Sequence, residues 1–163
     1  LGVSMGGATV LMMSDKITDP AVKGIIADCS YTSAWDEFAY QLKNPFGLPA
    51  FPLLYIFDLY CRIICKYSLR DASPIKAVRG AKVPILFIHG AKDALVPVKM
   101  QKELFDACPT QKEMLTVENA VHAQSYYTDP RAYEAAAEKF INECENNENT
   151  SALSAPGGGK QIG

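Results

Sequence analysis

Short β-branched runs alternate along this chain with stretches of helical period, the pattern of a sheet covered by helices. Ala8 to Met13 is almost wholly apolar after a Gly-rich turn. This predicts a helix from Ser4 to about Lys16, packed on a sheet and ended by Asp19-Pro20. Val22–Ala27, Val83–Ile88 and Met114–Val117 read as strands. Trp35, Phe38, Ala39 and Leu42 stand at i, i+3, i+4 and i+7, so a helix begins near Ser33. Pro45, Pro49 and Pro52 then forbid regular structure until about Leu53. Pro74, at the favoured first position, opens a short helix to about Val78, and a further helix follows Pro97. Asp129-Pro130 caps a last helix whose stripe is Tyr133, Ala136, Ala137, Phe140, Ile141 and Cys144. From Glu145 the chain turns Asn- and Glu-rich and then Gly-rich, so residues 145–163 are expected to be a disordered tail.

A length of 163 residues is one domain's worth, and at 48% hydrophobic it suffices for a real core. A net charge of −2 with no basic run argues against a nucleic-acid partner. The five cysteines cannot all pair, and no Cys-x-x-Cys is present. Cys61 and Cys65 lie one helical turn apart, but with Ile63 and Ile64 between them and no nearby His they read as buried thiols, not metal ligands. The lack of a disulfide pattern favours a reducing, cytoplasmic setting. Phe46 to Cys65 is apolar enough to suggest a membrane span, yet Pro49, Pro52, Asp58 and Arg62 argue against one. Tyr31 to Tyr67 holds ten of the sixteen aromatic residues, some needed for packing. The rest suit a helical cap at about 31–70, with Trp35, Phe38, Phe51 and Tyr55 facing an apolar substrate pocket.

Gly2-Val3-Ser4-Met5-Gly6 has the form of a nucleophile elbow, a strand turning sharply into a helix with one side chain exposed at its apex. Gly2 and Gly6 are expected where a Cβ would collide. An activated Ser needs a base, and the base needs a carboxylate to fix its tautomer. Asp93 follows the Val83–Ile88 strand and His122 follows the Met114–Val117 strand, so Ser4, Asp93 and His122 come in order in three loops on one sheet edge. His89 precedes Asp93 and reads as structural. Asp28, also at a strand end, competes with Asp93 for the acid.

Gly-Val-Ser-Met-Gly-Gly (2–7), Asp-Ala-Ser-Pro-Ile (71–75), residues 83–97 and Ala-Val-His-Ala-Gln-Ser (120–125) resemble the C-terminal part of an α/β-hydrolase. The branch is that of serine aminopeptidase-like and acyl-esterase-like enzymes, which includes the prolyl-oligopeptidase-type catalytic domains. The resemblance covers about residues 1–144 and implies a partial α/β fold, with a mostly parallel sheet and a helical cap insertion. By that similarity Ser4 is the nucleophile, His122 the base, Asp93 the acid, and Met5 supplies one oxyanion N–H. The substrate is then a small acyl compound or peptide, with no cofactor. The resemblance also implies that the family's N-terminal strands, and a second oxyanion donor, precede residue 1. Two functions follow: a serine hydrolase working through an acyl-enzyme, or a truncated, inactive relative that binds a ligand or partner. Without those upstream strands the Val22–Ala27 strand is expected to expose an unpaired edge and an apolar flank, which invites association.

Overall fold

A computed structural model describes residues 1–153. Four strands, β1 (Gly2–Val3), β2 (Ile25–Asp28), β3 (Ile85–Gly90) and β4 (Lys112–Val117), form one parallel sheet in sequence order. Ala27 pairs with Gly2 on one side and Phe87 on the other, and Phe87 pairs in turn with Met114. Parallel neighbours need crossovers. Helix α1 (Met5–Met12) links β1 to β2; α2 (Ala34–Lys43), α3 (Leu53–Tyr60) and α4 (Pro74–Val78) lie between β2 and β3. Helix α5 (Lys99–Ala107) precedes β4, and α6 (Ser125–Thr128) and α7 (Pro130–Leu153) follow it.

The side-chain alternation of β2 and β3 explains their unbroken apolar runs. Ile25, Ala27, Ile85 and Phe87 point to one face, where they pack with Leu11, Val78 and Leu104 of α1, α4 and α5. Ile26, Leu86 and Ile88 point to the other, against Tyr133, Phe140 and Cys144 of α7. Both faces are therefore dry. The chain runs so close to α7 before β2 that a Cβ on Gly24 would lie 3.0 Å from Phe140 and Cys144, and the strand begins at Ile25, later than the predicted Val22. Likewise α1 stops at Met12 rather than near Lys16; there the chain turns, and Ser14 O accepts from Lys82 N–H at 3.0 Å.

A third cluster holds Ala34, Leu54, Cys61 and Leu69, tying α2 to α3 and to the π-helical turn Cys61–Cys65 that continues it. Asp58 anchors this turn. Its Oδ1 accepts from Ser68 Oγ and Leu69 N–H, both at 2.8 Å, while Oδ2 accepts from Arg62 Nε at 2.9 Å. Among the described residues no helix is long and apolar enough to cross a membrane. The expectation for the paired cysteines needs correcting: Cys61 is buried, but Cys65 is exposed, because the turn shows Cys65 on its outer side.

The expected disordered tail also needs correcting. Helix α7 runs past Glu145 to Leu153, a stretch that is polar but holds no Pro or Gly to break it. Residues 154–163, the rest of that expectation, lie outside the described residues.

Candidate active site

Ser4 sits between the last residue of β1 and the first of α1 with φ 54° and ψ −118°, a left-handed conformation that strains a non-Gly residue. Its N–H donates to Asp28 O at 2.8 Å, which locks the turn onto β2. Crowding here falls on Gly2 and Gly7. A Cβ on Gly2 would lie 2.3 Å from Gly6 O, and one on Gly7 would lie 2.2 Å from Ser30 Oγ. At Gly6, where the sequence predicts a clash, a Cβ meets nothing within 4 Å, because that position faces outward from α1. Met5 opens α1, so its N–H is one of the unpaired donors at the positive end of the helix beside Ser4.

The acid and base loops leave β3 and β4 side by side. A Cβ on Gly90 would lie 2.4 Å from Ala120 O, so Gly is what lets the two loops touch. Asp93 is buried, with Oδ1 accepting from the N–H groups of Leu95 and Val96, both at 2.9 Å. Its Oδ2 accepts from His122 Nδ1 at 2.8 Å. That bond places the ring proton on Nδ1 and leaves Nε2, 2.8 Å from Ser4 Oγ, to accept the hydroxyl proton. Burial alone would raise the Asp93 carboxyl, but hydrogen bonds from His89, Val96 and His122 outweigh it and hold the group below its ordinary value.

Asp28 ends elsewhere. At the end of β2 it accepts from Ser125 Oγ at 3.0 Å, bracing α6 against the sheet. Burial raises its carboxyl, opposed by the Ser125 hydrogen bond. His89 is fully buried in β3, and its Nε2 donates to Val96 O at 2.9 Å while lying 3.3 Å from Asp93 Oδ2. It is structural, as the sequence order suggests, and also a second support of Asp93.

Cys29 is a residue that sequence reasoning missed. It follows Asp28 with φ 45°, and its side chain is fully buried. Cys29, Asp93 and His122 bring three ligand-type atoms within 4.8 Å of one another. Burial, with Asp28 adding to it, pushes the thiol up to about 12, so the free thiol is protonated at neutral pH. Its positive φ could have been found only from the backbone, since the sequence shows no Gly there.

The four aromatic residues expected around a substrate do not converge on Ser4. Trp35 stacks edge-on against Tyr55 at 5.0 Å beneath the Arg70 guanidinium, Phe51 also meets Tyr55, and both Phe51 and Tyr55 are exposed. Phe38 lines an apolar cavity of about 450 Å³ with Leu53, Ile56 and Tyr60, and neither Ser4 nor His122 borders it. Trp35 and Phe38 belong to α2 and Tyr55 to α3, so aromatic content alone could not say which faces turn toward a common pocket. A separate cavity of about 630 Å³ does border His122, lined by Tyr40, Gln41, Leu95 and Val121. Gln41 Nε2 donates to Leu95 O and fastens α2 to the acid loop. These linings come from three separate segments, and only their positions in space bring them together.

Residues 1–122 match the family described as serine hydrolase (FSH1). The chain is 30% identical over 140 residues to the uncharacterized protein YqkD of Bacillus subtilis, covering 86% of this chain and 46% of that protein. It thus spans about half the length of that curated relative. Among solved structures it is similar to an esterase from Pyrococcus furiosus (TM-score 0.61, 20% identity, 87% of this chain and 51% of that one). It is also similar to the acylaminoacyl peptidase of Pyrococcus horikoshii (TM-score 0.56, 17% identity, 90% of this chain and 23% of that one). The fold they share with it is that of the α/β-hydrolases. With a strained serine at the apex of its strand-to-helix turn and a family match over three quarters of its length, this chain belongs to the serine hydrolase (FSH1) family of the α/β-hydrolase superfamily.

Proposed function

We propose that the chain carries the reacting groups of a hydrolase that cleaves an ester, thioester or amide through an acyl-enzyme on Ser4. The observation that carries this reading is the unbroken line from Ser4 Oγ to His122 to Asp93, two hydrogen bonds of 2.8 Å each. As Ser4 Oγ bonds to the substrate carbonyl carbon, its proton moves to His122 Nε2, and the carbonyl oxygen takes the negative charge. We assign Met5 N–H, at the start of α1, as a donor to that developing oxyanion. The C–O, C–S or C–N bond then breaks, and His122 hands the proton to the leaving group. A water repeats the sequence in the acyl-enzyme, losing its proton to His122 and releasing the acid and free Ser4. Asp93 stays ionised throughout, fixing the Nδ1–H tautomer and stabilising the imidazolium.

The cavity beside His122 is the place for the acyl or leaving group, and residues 31–70 act as the cap over it. The reaction as written needs no cofactor, since side chains carry every proton. Five free thiols suit a reducing compartment such as the cytoplasm. A second reading, a binding module without catalysis, is favoured by the apolar cavity at Phe38, which has no triad residue in its wall. Hydrolysis of short p-nitrophenyl esters separates the two. We expect turnover, with Ser4→Ala and His122→Ala each reducing it about 10⁴-fold or more. An esterase-inactive protein that binds apolar ligands would favour the second reading.

A further inference from the structure

Helix α3 is apolar on both sides, and only one side is used. Leu54, Asp58 and Cys61 at i, i+4 and i+7 are buried against α2 and Leu69. On the opposite side Ile56, Leu59, Tyr60, Ile63 and Ile64 form a continuous stripe along α3 and the π turn, each 56–62% exposed. A helix this apolar all round is ordinarily buried, and an exposed patch of this kind marks an interaction site.

The charges around the stripe name its occupant. Arg62 and Lys66 stand on the π turn and at its end, the Arg70 guanidinium lies 5.6 Å from the Tyr55 ring, and the one acidic residue of α3 and the turn is Asp58, against a net charge of −2 for the whole chain. Asp58 is buried and accepts from Arg62, so it shows no negative face to a partner. The rim of the stripe is therefore cationic on an otherwise acidic protein. Tyr55, Tyr60 and Tyr67 are each about half exposed around it. Rings with a hydroxyl at one end belong where apolar and wet regions meet. No described helix is long enough to span a bilayer, which leaves a helix lying along its surface.

We propose that the α3 stripe docks on an anionic lipid bilayer, with Ile56, Leu59, Ile63 and Ile64 entering the acyl boundary and the basic rim meeting the headgroups. The cavity at Phe38 shares Ile56 and Tyr60 with the stripe and so opens where acyl chains would be. This docking does not depend on the proposed chemistry at Ser4.

Cosedimentation with vesicles tests it, using phosphatidylcholine alone and phosphatidylcholine mixed with phosphatidylglycerol. The expected result is binding to the mixed vesicles that weakens with added salt, is much weaker on phosphatidylcholine, and shifts the fluorescence of Trp35, the single tryptophan. The double substitution Ile56→Glu, Ile63→Glu changes two exposed positions and is expected to weaken binding by about tenfold or more. Ile141→Glu, at an exposed position on α7, and Ser4→Ala are expected to bind as wild type. Failure to bind mixed vesicles, or equal binding by the double variant, overturns the proposal. So does a dimer in solution that the double variant converts to monomer, since the stripe's occupant is then a second copy.

Discussion

His89 Nε2 lies 3.3 Å from Asp93 Oδ2, the same oxygen that accepts from His122 Nδ1. Because Val96 O, 2.9 Å away, can only accept, the proton on that nitrogen is fixed, and the ring faces the carboxylate as a donor. His89 thus braces both ends of the loop that carries Asp93. His89→Ala removes a fully buried ring and both contacts, so we expect a loss of about 2–4 kcal/mol of stability in denaturant unfolding. Activity is expected to fall less than for loss of Asp93. If His89→Ala melts and turns over like wild type, the loop is held by its backbone alone.

Asp93 and Asp28 differ in both chemistry and energetics. Asp93→Asn leaves His122 without its carboxylate and is expected to lower turnover about 10⁴-fold with folding intact. Asp28→Asn keeps an oxygen to accept from Ser125 and is expected to cost less than about tenfold. The pH dependence runs in opposite senses. The Asp93 carboxyl is lower in the folded state than its ordinary 3.8, so the stability it contributes is present above 3.8 and lost as pH falls through the folded value. The Asp28 carboxyl is raised, so the folded state loses stability as pH climbs from 3.8 through the folded value. Thermal melts should therefore find Asp28→Asn at least as stable as wild type at neutral pH, with that advantage vanishing well below 3.8. A large activity loss in Asp28→Asn with little in Asp93→Asn would exchange the two roles.

What was readable in the sequence is what is local. The order of Ser4, Asp93 and His122, each just past a β-run, is legible in the sequence, and their side chains meet. The parallel sheet follows from apolar runs with both faces covered. What was not readable depends on convergence. Tyr40, Gln41, Leu95 and Val121 come from three segments, and nothing in their spacing marks a shared cavity. Trp35, Phe51 and Tyr55 looked like a pocket because aromatic content reports packing demand without direction. The strain at Cys29 left no sequence trace, since a backbone at φ 45° is usually signalled by Gly or Asn.

The glycines make a steric test of the elbow. Gly7→Ala places a Cβ 2.2 Å from Ser30 Oγ and 2.9 Å from Asp28 O, and the second of these is backbone that cannot turn aside. Gly6→Ala meets nothing within 4 Å. We expect Gly7→Ala to lower the melting temperature and displace Ser4, and Gly6→Ala to keep the fold and gain slightly from helix propensity. The reverse order in thermal melts would mean that the elbow packs differently.

The proposed chemistry requires that His122 activate Ser4 as a nucleophile. Labelling with a fluorophosphonate probe, followed by peptide mapping, measures this most directly, because the probe reacts through the attack that hydrolysis requires. We expect one phosphonylated residue, Ser4, with labelling lost in Ser4→Ala and His122→Ala and strongly slowed in Asp93→Asn. Labelling that persists in Ser4→Ala, or that maps to another serine, contradicts it.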